Sequence, residues 1–261
     1  MNYKTVLGLL TFVFLLFLSA CTTVPVTGRK ALHLYSDGQL AQMAARQFGE
    51  LKKETPLSTN QQYIDRVRRV GARIAPVAEM DLPNVKWEFV VFDDSDQINA
   101  FAMPGGKVGI YSGLFKVAKT DADLAVVIGH EIAHVVAKHG SERITQQMLA
   151  AGGALAVTAG TRDMDAKDRN LILAGFGVAT SVGVLLPYSR LHESEADAIG
   201  ILYVAEAGYD PRVALSFWQR MSEQKSGSMP ELLSTHPADS TRMRRLEAMM
   251  PQAVEIYETV R

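Results

Sequence analysis

The sequence predicts an α+β fold, mostly helical with a small mixed β-sheet, on three observations. Apolar residues recur at helical spacing over 37–55 and 59–77, and a plausible capping residue precedes each segment. Residues 85–92 are rich in aromatic and β-branched side chains, as is typical of a strand. The runs 99–103 and 107–111 flank a Pro-Gly-Gly turn and predict a hairpin. Because these strands stand together and are followed by helical segments, the pattern favours α+β architecture.

Composition sets the size of the fold and excludes one class of partner. The chain has 261 residues, of which 48% are hydrophobic and 21% charged, so one medium-sized domain with a substantial core is expected. Lys and Arg number 27 and Asp and Glu number 28, which gives a formal net charge of −1. No overall positive field is available to attract a phosphate backbone, so nucleic-acid binding is not expected.

The N-terminus has the features of an export signal. An apolar run at 6–20 follows a positively charged start and is shorter than the roughly 20 residues of a membrane span. It ends in Leu-Ser-Ala-Cys, which resembles a bacterial lipobox, so we expect acylation of Cys21 and tethering to a lipid bilayer. Thr22 follows the cysteine instead of Asp, which in lipoproteins resembling this one favours sorting to the outer membrane, facing the periplasm. The predicted division is a signal peptide at 1–20, a lipidated tether at 21–35 and a folded domain at 36–261.

Two apolar stretches in the middle of the chain leave two interpretations open. Residues 148–161 and 171–188 are separated by a charged turn at 162–170. The second stretch is uncharged for 18 residues, which reaches the lower limit for a transmembrane helix. Its Gly, Ala, Ser and Thr content, and Pro187 near its end, favour a buried or partly membrane-facing helical hairpin over a span.

The segment 120–140 is predicted to be one helix, capped by Thr120, and it contains a metal-binding pattern. His130 and His134 lie four residues apart, so both imidazoles project from one face and can bind one ion. Glu131 is placed to activate a water as general base. The alternative is a helix with two hydrogen-bonded interior histidines. Burying two histidines and a glutamate among apolar residues without a metal is costly, which favours one Zn²⁺ per chain.

A catalytic zinc site needs a third protein ligand and one open position. Gly140 stands where a metzincin would have its third histidine, which excludes that pattern. His139 lies about 180° round a continuous helix from the first histidine, so it is expected at the surface or at the helix end. Glu193 is the predicted third ligand, and Asp197, one turn later, is placed to accept a hydrogen bond from a ligand histidine. Glu195 is expected on an exposed acidic face.

The chain resembles the gluzincin peptidases, which include HtpX, the CAAX prenyl endopeptidases and the envelope lipoproteins LoiP and BepA. The resemblance covers about 59–250 and is nearest to a compact LoiP-like member. It rests on four motifs: Asn-Ala-Phe-Ala-Met-Pro-Gly-Gly with the following 108–114, His130 to His134, Glu-Ser-Glu-Ala-Asp at 193–197, and Ser-Thr-His-Pro at 234–237 with Arg242 after it. It implies a zincin-type metallopeptidase domain, bound zinc and endopeptidase activity. For the lipoprotein members it also implies quality control of misfolded or unassembled envelope proteins.

The resemblance also implies roles outside the zinc helix. His236 is expected at the active site, either donating to the developing oxyanion or occupying the open metal position, and Arg242 is expected to support that loop or the charge balance. The flexible segment 224–234 is a candidate lid that carries His236. We further predict an edge strand to which an extended substrate adds. Its residues are Lys107, Val108, Gly109, Ile110 and Tyr111.

Two other functions remain as alternatives. The first is an envelope chaperone or assembly factor with little proteolytic activity, against which an intact Glu131 argues. The second is a structural zinc lipoprotein. Structural zinc sites are usually closed by four Cys or His ligands, so a His-Glu-x-x-His helix with a distant glutamate favours a catalytic site.

Overall fold

The computed structural model describes residues 21–223, 231–236 and 240–261. The predicted signal peptide and most of the predicted lid, at 224–230, lie outside the described residues. The described part contains nine α-helices and five strands, which confirms the α+β class. In chain order these are β1 (Cys21–Thr23), β2 (Lys30–Leu32), α1 (Asp37–Glu54), α2 (Gln61–Glu79), β3 (Glu88–Phe92), β4 (Ala100–Met103), β5 (Lys107–Tyr111), α3 (Asp121–Val136), α4 (His139–Gly160), α5 (Ala166–Thr180), α6 (Leu186–Glu206), α7 (Val213–Ser222), α8 (Glu231–Thr235) and α9 (Ser240–Val260).

The first three helices begin at side-chain caps. Ser36 and Gln39 form a reciprocal capping box at α1, and Asn60 accepts hydrogen bonds from the first turn of α2. Thr120 and Asp123 form a second capping box at α3, as predicted. Each cap satisfies backbone N–H groups that have no partner within the helix, so these helix starts are determined locally.

The main sheet is three-stranded and mixed, with strand order β3-β5-β4. The predicted β4–β5 hairpin is confirmed, and Gly105 and Gly106 in its turn both have φ of +80°, a conformation that favours glycine. The prediction that Lys107–Tyr111 is an edge strand is wrong, because β3 pairs with it in parallel on its other side. The strand at the edge beside α3 is β4.

Helix α3 runs through the centre of the molecule. The sheet, α2, α6 and α7 all pack around it, and Leu124, Ile128 and Ile132 are fully buried. Burial on all sides explains why this helix is apolar on nearly every face. From Asp123 to Val136 every residue of this helix is buried, so its polar side chains there lie inside the protein.

The prediction of one helix over 120–140 is wrong near its end. Helix α3 stops at Val136, and Lys138 takes a left-handed conformation with φ of 56°. The chain turns there and α4 begins at His139 in a new direction. The angular position that a continuous helix would assign to His139 therefore does not apply.

The predicted tether at 21–35 contains a packed hairpin. Strands β1 and β2 pair antiparallel, and Val24 and Ala31 are buried in the core. The Leu34 N–H donates to Thr145 Oγ1 at 3.1 Å, which joins this segment to α4. Pro25 and Gly28 belong to the turn of the hairpin, so the residues that suggested a flexible linker instead reverse the chain.

Helices α4 and α5 pack against each other, but α5 has no buried residue and many large apolar side chains are exposed. Of the two predicted arrangements of the hairpin, the buried one is therefore wrong and the partly membrane-facing one stays a prediction. Pro187 does not end the helix either, since residues 166–206 are continuous through a π-helical turn at Ser181–Leu185. Such a turn shifts the hydrogen-bond register next to the proline. By length and composition, 166–206 is the one described helix apolar enough to cross a membrane, and its apolar window is exposed.

Candidate metal site

Four ligand atoms from three parts of the chain converge beside α3. His130 Nε2 and His134 Nε2 lie 3.1 Å apart, one helical turn from each other. Helix α6 places Glu193 Oε2 3.3 Å from His130 Nε2 and Glu193 Oε1 3.4 Å from His134 Nε2. His236, just after α8, places its Nδ1 3.2 Å from His130 Nε2 and 3.0 Å from both Glu193 oxygens. All four residues are buried.

This spacing fits a tetrahedral zinc site. Zinc binds histidine nitrogen at about 2.0–2.1 Å, which places neighbouring ligands of a tetrahedron about 3.3 Å apart. The separations given above cluster around that value, and all the ligand atoms lie within 4.8 Å of one another. Two imidazoles, a carboxylate and a further imidazole are donors that zinc accepts. The residues present therefore fit the ion that the sequence predicts.

Close contact between α3 and α6 makes this convergence possible. The helices cross at Gly129 and Gly200, where a Cβ added to Gly200 would lie 2.9 Å from backbone atoms of Gly129 and His130. Ala196, one turn from Gly200, is also fully buried in the core. Small residues at this crossing bring Glu193 within reach of the histidines.

Glu131 is buried beside the four ligands. Its Oε2 accepts a hydrogen bond from the Ala102 N–H on β4 at 3.2 Å. Its Oε1 lies 3.4 Å from His236 Nε2 and has no hydrogen-bond partner among the described residues. Burial raises the pKa of the Glu131 carboxyl, although the nearby His236 and His130 act in the opposite direction. One carboxylate oxygen is thus fixed by the strand while the other faces the ligand cluster.

Asp197 and Arg242 contact the Nδ1 side of His130, and Arg242 Nη1 also lies 3.4 Å from Glu193 Oε2. His130 Nδ1 donates to Asp197 Oδ1 at 3.0 Å, and Arg242 donates to both oxygens of Asp197. Burial alone would raise the pKa of Asp197, but the Arg242 guanidinium and His130 together outweigh it and the pKa is lowered. Arg242 also stacks on Trp218, 4.1 Å from the ring centroid, and donates to the His236 carbonyl at 3.0 Å. Arg242 therefore connects the Asp197 contact with the His236 loop.

Two residues that the sequence placed at the surface are in fact buried behind His134. His139 is 1% exposed and Glu195 is 4% exposed. The left-handed turn at Lys138 directs His139 inward, where burial lowers its pKa to about 4. Glu195 points away from Glu193, as its helical position predicts, but the N-terminal hairpin covers it. Thr27 and Arg29 contact Glu195 from more than 160 positions away in the chain. No local sequence pattern indicates such contacts, so the burial of Glu195 was not predicted.

The described part of the predicted lid is ordered by contacts with the rest of the domain. Leu232 and Leu233 on α8 are buried, and the Leu232 N–H donates to the Ile98 carbonyl at 3.1 Å. The His236 N–H donates to the Leu232 carbonyl at 2.8 Å, so α8 positions the histidine. Residues 237–239, which include the proline of the fourth motif, lie outside the described residues.

Comparison with known proteins agrees with this geometry. The model of peptidase family M48 matches residues 61–250. The mitochondrial metalloendopeptidase OMA1 of Schizosaccharomyces pombe is 36% identical over 195 residues, which cover 74% of this chain and 55% of that protein. The beta-barrel assembly-enhancing protease of Escherichia coli K12 is 30% identical over 258 residues, which cover 93% of this chain and 51% of that protein.

The chain thus spans about half the length of these curated relatives. The family match includes α3, the whole of α6 and His236, so it covers every side chain of the ligand cluster. The gluzincin resemblance predicted from the motifs is confirmed by this match. The chain belongs to peptidase family M48.

Proposed function

We propose that this chain is a zinc-dependent endopeptidase in which His130, His134 and Glu193 bind the ion. The observation that supports this most directly is Glu131, a buried carboxylate with one unpartnered oxygen facing the ligand cluster. Zinc in such a site supplies Lewis acidity and a bound water of lowered pKa. A purely structural site does not require this second carboxylate beside its ligands.

Glu131 acts as the general base in this proposal. Its Oε1 accepts the proton of the attacking water and later passes it to the leaving amine, while the Ala102 N–H holds Oε2 in place. The raised pKa of the buried carboxyl suits both steps, because a base that is too acidic would not retain the proton. His236 is placed to donate to the developing oxyanion, or to occupy the fourth metal position in a resting state.

The proposed substrates are extended polypeptide segments from misfolded or unassembled envelope proteins. Strand β4 is the sheet edge beside Glu131, so an added substrate strand would lie along Ala100–Met103 rather than along the predicted β5. Strand addition binds the backbone groups of the substrate more than its side chains, which suits a protease that acts on unfolded chains. The name of the Escherichia coli relative, a beta-barrel assembly-enhancing protease, supports an envelope role.

We further propose that the chain is a lipoprotein of the outer membrane that faces the periplasm, anchored through Cys21. The support is the apolar run at 6–20 that ends in this cysteine, together with the exposed apolar surface of α4 and α5. Cys21→Ala should abolish incorporation of a radioactive fatty acid and alter the membrane fraction in which the protein is found. Equal labelling of this variant would refute the lipid anchor.

The catalytic proposal is tested with Glu131→Gln in the full chain. This variant should lose cleavage of casein and of an unfolded protein while it retains about one zinc per chain, because Glu131 activates water and does not bind the ion. Glu247→Gln, on an exposed part of α9, is the matched control and should keep both properties. Full cleavage by Glu131→Gln would refute the mechanism. A wild-type protein that binds zinc, suppresses aggregation and cleaves nothing would instead support the chaperone alternative.

A further inference from the structure

A continuous set of polar contacts, buried at His134, His139 and Glu195, extends to the N-terminal hairpin. The Nε2 of His134 faces the ligand cluster, and its Nδ1 lies 2.8 Å from His139 Nδ1. On the other side of that ring, His139 Nε2 lies 3.2 Å from Glu195 Oε2. Arg29 Nε donates to both Glu195 oxygens at 3.0 and 2.9 Å, and Thr27 Oγ1 donates to Glu195 Oε1 at 2.7 Å.

The order of donors and acceptors in this set is determined by the metal ligand. An imidazole that binds metal through Nε2 carries its proton on Nδ1, so His134 Nδ1 donates to His139 Nδ1. A neutral His139 that accepts at Nδ1 carries its own proton on Nε2, which it donates to Glu195. The Glu195 carboxylate accepts this hydrogen bond from His139 as well as those from Arg29 and Thr27. Glu195 therefore fixes the tautomer of His139, and His139 fixes that of His134.

Arg29 is itself held in place on two sides. Its Nη1 and Nη2 donate to the two oxygens of Glu142 on α4, both at 2.8 Å, in the paired geometry that guanidinium and carboxylate favour. Glu142 also accepts from His192 Nε2 at 3.0 Å, and the ring of His192 stacks on His139 at 4.2 Å. The guanidinium thus joins α4 and α6 to the hairpin between β1 and β2.

We propose that His139, Glu195 and Arg29 form a positioning chain that fixes the ring orientation and tautomer of His134, and that the N-terminal hairpin is thereby part of the metal site. These side chains are positioning residues, since they act through His134: His139 contacts it directly, Glu195 contacts His139, and Arg29 contacts Glu195. The arrangement repeats, on the second histidine, what Asp197 and Arg242 do for His130. This inference rests on the proposed zinc site.

The test compares two buried glutamates that share Arg29 but differ in their contact with His139. Glu195→Gln keeps the side-chain size but loses the charge that accepts from His139 and pairs with Arg29. Zinc affinity, measured in the full chain by competition with a chromogenic chelator, should fall roughly 10- to 100-fold, as is typical when a group behind a metal ligand is changed. Glu142→Gln should weaken zinc binding less than Glu195→Gln, because Glu142 holds Arg29 but makes no hydrogen bond to His139. Glu247→Gln, at an exposed position on α9, is the control and should leave zinc affinity unchanged.

Thermal melting of the metal-free variants shows whether each one folds. Thr27→Val, at an exposed position, removes a single hydrogen bond to Glu195 and serves if Glu195→Gln does not fold; it should weaken zinc binding less, in the same direction. Unchanged zinc affinity in folded Glu195→Gln would overturn the inference, as would equal weakening by Glu142→Gln, which would show a general structural effect. A wild-type chain that binds no zinc would refute the proposed function itself, and the inference with it.

Discussion

The crossing of α3 and α6 offers a sharp test of how packing determines the metal site. In Gly200→Ala the new methyl carbon would lie 2.9 Å from the Gly129 carbonyl carbon and 2.9 Å from the His130 nitrogen. Both are backbone atoms of a buried helix, so no side-chain rotation can relieve the contact. The two helices must therefore separate where they cross.

The size of that separation follows from ordinary contact distances. Non-bonded carbon atoms approach to about 3.5–4.0 Å, so the helices must move apart by roughly 0.6 Å or more. Overpacking of this kind costs about 1–3 kcal/mol of unfolding free energy. The same movement carries Glu193 away from His130 and His134, from which its oxygens are now 3.3 and 3.4 Å distant. Because metal–ligand distances tolerate only about 0.2 Å, zinc binding should weaken as well.

Urea unfolding and chelator competition on the full chain measure the two effects. Gly175→Ala is the matched control, since a Cβ at this exposed position on α5 meets no atom within 4 Å. It should raise stability by about 0.5–1 kcal/mol through helix propensity and leave zinc affinity unchanged. If Gly200→Ala is as stable as the wild type and binds zinc equally well, the close crossing does not control the site and the reasoning is wrong.

Three further predictions concern the site itself. Glu193→Ala should remain folded but lose its zinc, measured by elemental analysis; one zinc per chain in this variant would exclude Glu193 as a ligand. His236→Ala should keep zinc through the other three ligands and lose roughly 10²- to 10³-fold in kcat if His236 stabilises the oxyanion. A more active variant would show that His236 only blocks the fourth position. Because Glu131 must be ionised to act as base and burial raises its pKa, kcat/KM should fall with decreasing pH at a midpoint above the ordinary glutamate value of about 4.3. A midpoint at or below that value would contradict the assignment.

The sequence by itself determined the features that depend on local spacing. His130 and His134 must share a face of any helix, and Thr120 with Asp123 must cap its start, because both relations span a single turn. Glu193 and Asp197 lie one turn apart on the second helix for the same reason, and both reach the site. The β4–β5 hairpin likewise followed from two apolar runs around adjacent glycines.

Only the tertiary structure decided which strand forms the edge, where His139 points and what covers Glu195. Parallel pairing of β3 with β5 joins strands that β4 separates in the chain, and nothing in either strand alone indicates it. A single left-handed residue, Lys138, reverses the expected direction of His139. Arg29 reaches Glu195 across 166 positions of chain. Local periodicity gives the direction of a side chain relative to its own helix, but whether that direction leads to solvent depends on what the rest of the chain places there.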